Sequence, residues 1–127
     1  GNAIDFGDLT GIRNNSGGLS SSTRAIFAGG NANPGSSPYG PTQNNIDYFT
    51  ITSIGNATDF GDLTLATTAV GISNETKGVF QENQTTPAAG SMSQITIAST
   101  GNAASFGDLS VARGVSGSGS SAHGGLT

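Results

Sequence analysis

The phrase "GNAIDFGDLT" opens the chain at residue 1, returns as "GNATDFGDLT" at residue 55, and returns again as "GNAASFGDLS" at residue 101. A catalytic motif is needed once per active site. A decapeptide used three times in 127 residues therefore points to architecture, a supersecondary unit that recurs and stacks. The similarity runs beyond the ten residues. Arg13, Thr67 and Arg113 stand at one place after successive copies, "RAIF" at 24–27 aligns with "KGVF" at 77–80, and "FTITSIGNA" at 49–57 aligns with "ITIASTGNA" at 95–103.

Each unit divides into four extended pieces. In the first unit these are the small-residue run "GGLSSS", the apolar "RAIFAGG", the alternating "IDYFTITSI", and a last piece holding "DFGDLT". Alternation of Phe49 and Ile51 with Thr50 and Thr52, matched by Ile95 and Ile97 around Thr96, is the period-two pattern of a strand buried on one face. With 21 Gly and 9% charged residues, short strands joined by tight turns are expected almost throughout. Regularly spaced apolar clusters argue against disorder. Four strands make one antiparallel sheet that cannot bury both faces alone, so copies must stack or be arranged radially.

The repeated letters have structural roles in this reading. Phe6, Phe60 and Phe106 are expected in equivalent buried gaps between neighbouring sheets. Gly1, Gly55 and Gly101, each followed by Asn, suit a turn with positive φ, and Asp8, Asp62 and Asp108 suit acceptors of backbone N–H groups. Arg13 and Arg113 are expected to hold a neighbouring strand's carbonyls or an Asp, with Thr67 marking a unit where that bond is lost.

These features together resemble the kelch repeat of β-propellers: Arg13, "FAGG" with Gly29 and Gly30, Tyr48 in "IDYFT", then Phe60 and Leu63. The wording "TSIGNATDFGDLT" and "VAR" is similar to repeats in structural proteins of tailed bacteriophages, especially those infecting cyanobacteria. The kelch likeness implies an all-β fold of four-stranded antiparallel blades, part of a propeller or repeat array, with about two and a half blades in this chain. Residues 1–10 would be the last strand of a preceding blade, 11–64 a first full blade, 65–110 a second, and 111–127 the first strand of a further blade with a Gly/Ser-rich tail. The second unit departs from the pattern, with "FQEN" for the Gly-Gly piece and Gln94 for Tyr48. Two and a half blades do not close a ring. The chain reads as a piece of a longer polypeptide, as one of several copies completing a ring, or as an open array.

Function classes narrow by exclusion. A formal charge of −4 and four scattered basic residues leave no patch to displace counterions, so nucleic acid is not an expected partner. No apolar run approaches the ~20 residues that span a bilayer, so membrane insertion is not expected. The tripeptide "DFG" lacks every other kinase motif. The Asp5/Asp8 and Asp59/Asp62 pairs lack a spaced calcium ligand set, and Ser105 replaces the first Asp in the third copy, which favours turn capping. His123 stands alone in "SSAHGG", without a second metal ligand nearby. Asn-x-Ser/Thr at Asn14, Asn56, Asn74 and Asn83 matches by composition. No enzyme activity, cofactor or metal is expected.

One irregularity in length has two readings, slack in an unconstrained loop or a recognition surface. From "RAIF" to the next decapeptide is 31 residues (55 − 24), against 24 (101 − 77) from "KGVF", leaving seven extra in "NANPGSSPYGPTQNN". Insertions accumulate on loops, where the scaffold constrains them least. This loop is expected on the face that carries Arg13, Thr67 and Arg113, with Asn31, Asn33, Tyr39, Gln43, Asn44 and Asn45 as candidate contacts to a sugar or protein. The resulting expectation is a non-enzymatic structural and recognition module of a phage virion (tail, fibre or capsid decoration) that touches a host surface glycan or protein. Its partners would be other blades or subunits of the same protein. The alternative is a carbohydrate-binding or carbohydrate-active propeller domain of a secreted or cell-surface bacterial protein.

Overall fold

The computed structural model describes residues 1–32, 35, 40–83 and 90–113. Every regular element among them is a strand, and the fold is all-β. The order is β1 (Arg13–Asn14), β2 (Gly17–Ser20), β3 (Arg24–Ala28), β4 (Asn31–Ala32), β5 (Asn45–Thr50), β6 (Thr58–Asp62), β7 (Thr68–Ser73), β8 (Lys77–Asn83), β9 (Ser91–Thr96) and β10 (Ala104–Asp108). Two four-stranded antiparallel meanders result, β2-β3-β5-β6 and β7-β8-β9-β10, with β1 and β4 pairing in a small ladder beside the first. No helix of the described residues is long and apolar enough to cross a membrane.

Local chemistry sets the hairpins. Ser21 N–H donates to the Arg24 carbonyl at 2.9 Å, and Asn74 N–H to the Lys77 carbonyl at 3.0 Å. The Asn74 side-chain oxygen accepts from the amides of both Thr76 and Lys77, an Asx turn that closes β7 onto β8. After β5 and β9 the chain turns at once, with Ser53 N–H on Thr50 and Ser99 N–H on Thr96. The alternating strand expected to run through Ile51 therefore stops at Thr50, and Ile51 lies exposed in the turn while its counterpart Ile97 is buried. The difference is neighbourhood: the Ile97 carbonyl accepts from Arg24 of the first sheet at 2.8 Å, whereas among the described residues no sheet lies in front of Ile51.

The two sheets meet through their first strands. A Cβ built on Gly17 would stand 2.7 Å from the Ala69 carbonyl oxygen, and one on Gly71 would stand 2.7 Å from that of Gly18. Backbone thus lies against backbone at these points, which is why Gly occupies positions 17 and 71. Ser73 Oγ adds a 2.7 Å bond to the Ser20 carbonyl. The core comprises Ile26, Ala28, Ile46, Phe60, Leu63, Ala69, Phe80, Ile95 and Ile97, drawn from both units.

The three repeated rings do not share one environment. Phe60 is 3% exposed, Phe6 38% and Phe106 53%. Phe60 packs against Tyr48 at 5.9 Å and lies beside Ile95 of the second sheet. Phe6 makes a T-shaped contact with Phe49, with ring centroids 5.7 Å apart. Phe106, on the edge strand β10, has no further sheet against it among the described residues. Among the described residues Phe60 alone has both its own sheet and the next one against it, Phe6 has only the sheet that follows and Phe106 only its own, so the expectation of three buried rings holds for Phe60 alone.

Candidate functional site

The repeated decapeptide is a joint between one copy and the next. In β6 the register with β5 shifts so that Phe60 is skipped, and in β10 the register with β9 shifts in the same way at Phe106. A bulge of this kind turns the skipped residue's peptide groups away from the ladder. On the freed side of β6, the Phe60 carbonyl accepts from Gly101 N–H at 2.7 Å, and the Asp62 carbonyl accepts from Ala103 N–H at 2.8 Å. Asp62 N–H in turn donates to the Asn102 side-chain oxygen at 3.1 Å. The first copy repeats every contact with the second: Gly55 N–H to Phe6 O at 2.9 Å, Ala57 N–H to Asp8 O at 2.8 Å, and Asp8 N–H to Asn56 Oδ1 at 3.0 Å. The Phe-Gly-Asp of each copy therefore grips the Gly-Asn-Ala of the following one.

Glycine is required at the centre of this joint. Gly7, Gly61 and Gly107 adopt φ of 143°, 144° and 137°. A Cβ on Gly7 would stand 2.3 Å from the Gly55 carbonyl oxygen, and one on Gly61 2.5 Å from the Gly101 carbonyl carbon. Positive φ was expected at the first Gly of each copy, and there only Gly101 has it, at 153°. The Asp expectation also changes. The carboxylates of Asp8, Asp62 and Asp108 accept no hydrogen bond among the described residues, and it is the backbone of Asp8 and Asp62 that docks. Asp5 does cap a turn, accepting from Gly7 N–H at 3.1 Å.

A buried carboxylate anchors the last residue of the first two decapeptides. Asp47 of β5 accepts from Thr10 N–H at 3.0 Å and from Thr10 Oγ1 at 2.7 Å, and it pairs with the Arg13 guanidinium, with the two side chains 0% and 1% exposed. Arg13 Nη1 also donates to the Asn45 carbonyl at 3.1 Å, so Arg13 fills the bridging role expected of it. In the second unit Thr64 takes the place of Thr10, but its acceptor is Glu82 of β8, at 3.0 Å from the amide and 2.7 Å from the hydroxyl. Glu82 stands where the first unit has Gly29, and the buried Ser93 stands where it has Asp47. Thr67, in Arg13's place, is 1% exposed. The second unit thus keeps the carboxylate, supplies it from another strand, and dispenses with the cation. Arg113 does not share Arg13's role: it is exposed, its Nε reaches only the Val111 carbonyl at 3.4 Å, and it forms no ion pair among the described residues.

The candidate contact loop begins at this anchor, since β4 pairs with β1 and so sets Asn31 opposite Asn14. Its base is zipped by Ala32 N–H to Pro41 O and Gln43 N–H to Gly30 O. The carbonyls of Gln43 and Asn44 accept from Thr67 and Leu63, which leaves these two residues half-buried as part of the scaffold, while Asn45 is exposed at the start of β5. Asn33 and Tyr39 lie outside the described residues, as does His123. No three His, Asp or Glu side chains converge among the described residues.

Beside the joint at Phe60 a cleft of about 360 Å³ opens, lined by Phe60, Ile95, Lys77, Gln94, Ser99 and Asn102 among others. Its existence follows from two differences between the units. In the first, Arg24 lies over the Tyr48 ring, 4.5 Å from the centroid. In the second, the corresponding Lys77 and Gln94 make a 3.2 Å hydrogen bond and no stacked plate, leaving space above Phe60.

No family model matches the chain, and no curated protein matches it either. Asp47, Glu82, Asn56 and Asn102 are the structural residues that the sequence reading missed. Asn56 and Asn102 carried a signal, since Asn is the second letter of every decapeptide. Asp47 carried a weaker one, as a charge between Ile46 and Tyr48 in an otherwise apolar strand.

Proposed function

We propose that the chain is a non-enzymatic structural and recognition module of a tailed-phage virion, built of kelch-like blades belonging to a propeller or open array. The observation that carries this reading is the joint between decapeptides. The residues the sequence repeats most faithfully are engaged in holding one sheet to the next, which is the economy of an assembly part. Kelch-like order along the first unit and phage-like wording support the same assignment. Recognition falls to the loop at 31–45, where the amide of the exposed Asn45 and the Tyr39 ring suit hydrogen bonding and stacking on a neutral host glycan or on protein. Weak single sites gain strength from many copies on one particle.

The test is to delete the seven extra loop residues and to measure virion assembly, co-purification of the chain with particles, and adsorption to host cells. Reduced adsorption with intact particles is the expected result. Unchanged adsorption removes the recognition role, and absence of the chain from particles overturns the virion assignment.

The cleft over Phe60 favours a second reading, a carbohydrate-binding or carbohydrate-active domain of a bacterial surface or secreted protein. Apolar side chains alongside amide and ammonium groups suit a sugar ring. Solution binding of glycans that is lost in Gln94→Ala and Lys77→Ala would select this reading.

A further inference from the structure

The cleft beside Phe60 is rich in hydrogen-bond donors and holds no carboxylate. Lys77, Gln94, Ser99, Thr100 and Asn102 line it, and no Asp or Glu does, although the chain as a whole carries eight acidic residues against four basic ones. Among the described residues Lys77 makes no ion pair, and its ammonium reaches only the Gln94 side-chain oxygen, at 3.2 Å. The Asn102 side-chain oxygen is likewise taken, by Asp62 N–H at 3.1 Å. Both side-chain carbonyls of the lining are therefore engaged by internal donors. The remaining N–H groups of Lys77, the amide NH₂ groups of Gln94 and Asn102, and the Ser99 and Thr100 hydroxyls make no hydrogen bond among the described residues. We propose that the cleft binds an acidic sugar, a single hexuronic acid ring whose carboxylate lies against Lys77 and Gln94.

Charge, size and surface select this ligand together. An ammonium without a counter-charge in a donor-rich recess favours an anion, because a neutral ligand would displace its water and return no charge. A volume of about 360 Å³ lies near the lower end of the range of about 300–1,000 Å³ usual for small-molecule sites, which suits one ring. Phe60, Ile95 and Ala104 contribute apolar surface that a bare inorganic anion would leave unused and that the C–H face of a pyranose can cover. With a formal charge of −4 the chain exerts no general pull on anions, so the preference arises in the cleft itself. The first unit has no such cation to offer. Arg24, in the place of Lys77, lies over the Tyr48 ring and donates to the Ile97 carbonyl at 2.8 Å. The inference rests on the carbohydrate reading of this cleft and names the class of sugar, and it is independent of the virion assignment.

The test is an amide chemical-shift titration of the full chain with methyl glucuronide, methyl glucoside and sodium acetate. Shifts at 77, 94 and 99–102 are expected, with the glucuronide bound about fivefold more tightly than the glucoside, the upper end for an exposed ion pair. Two variants then isolate the charge. Lys77→Met keeps most of the stem at an exposed position, and Gln94→Glu gives the ammonium an internal counter-charge. Each should bring the glucuronide down to the affinity of the glucoside. Equal binding of the two sugars by the unaltered chain overturns the inference and leaves the carbohydrate reading standing, as does a preference for glucuronide that survives Lys77→Met. Acetate bound as tightly as glucuronide overturns it by showing a carboxylate site that ignores the ring. Absence of shifts in the cleft with either sugar removes the inference and the carbohydrate reading together.

Discussion

Gly61 lies so close to Gly101 that a single added methyl group would stand 2.5 Å from the Gly101 carbonyl carbon. Gly107 has the same backbone conformation with empty space beside it. Gly61→Ala and Gly107→Ala therefore share the strain of an L-residue at positive φ and differ only in the joint. Gly61→Ala should be the more destabilising by about 1–3 kcal/mol, the usual range for overpacking. Paired chemical denaturation curves measure the difference, and equal losses would mean that the joint is soft.

The two buried carboxylates should respond unequally to neutralisation. Asp47→Asn leaves the Arg13 guanidinium buried without its counter-charge, and breaking such a pair costs about 3–5 kcal/mol. Glu82→Gln keeps an oxygen for the Thr64 amide and hydroxyl and abandons no cation, so it should change stability by less than about 1 kcal/mol. Thermal melts of the two variants at one pH provide the comparison.

Ring burial predicts a gradient along the repeat. Phe60→Ala should cost about 3–5 kcal/mol, as for a packed core ring. Phe106→Ala, at 53% exposure, should stay within about 0.5 kcal/mol, as surface substitutions do. A large loss at Phe106 under dilute conditions would show that β10 is covered in solution.

The close approach of β2 and β7 sets the spacing of the sheets. Gly17→Val pushes a branched side chain into the Ala69 carbonyl 2.7 Å from the Cβ position and should cost well over about 1 kcal/mol, whereas Gly18→Val, with its nearest neighbours at 3.7 Å, should cost less. Urea midpoints for the pair decide the point.

The repeat unit was legible in the chain's letters alone. Periodicity, Gly spacing and the three decapeptides were enough for four strands per repeat, for their order, and for the sheets' dependence on one another, because strand pattern and turn chemistry are local properties of the chain. Arg13's bridging role was legible from its place and its planar donors. Which equal letters have equal fates depends instead on how the units pack. Phe6, Phe60 and Phe106 are the same residue at the same place in the repeat, yet full burial needs a sheet on both sides of the ring, and that is set by neighbours far along the chain. The same reason hid the carboxylates: Asp47 and Glu82 occupy different strands and different places in the repeat, and they become equivalent only where folding brings each to the Thr at the end of a decapeptide. The Asn of every copy was visible as a letter, but its task, capping the amide of an Asp in the preceding copy, exists only once two copies lie side by side.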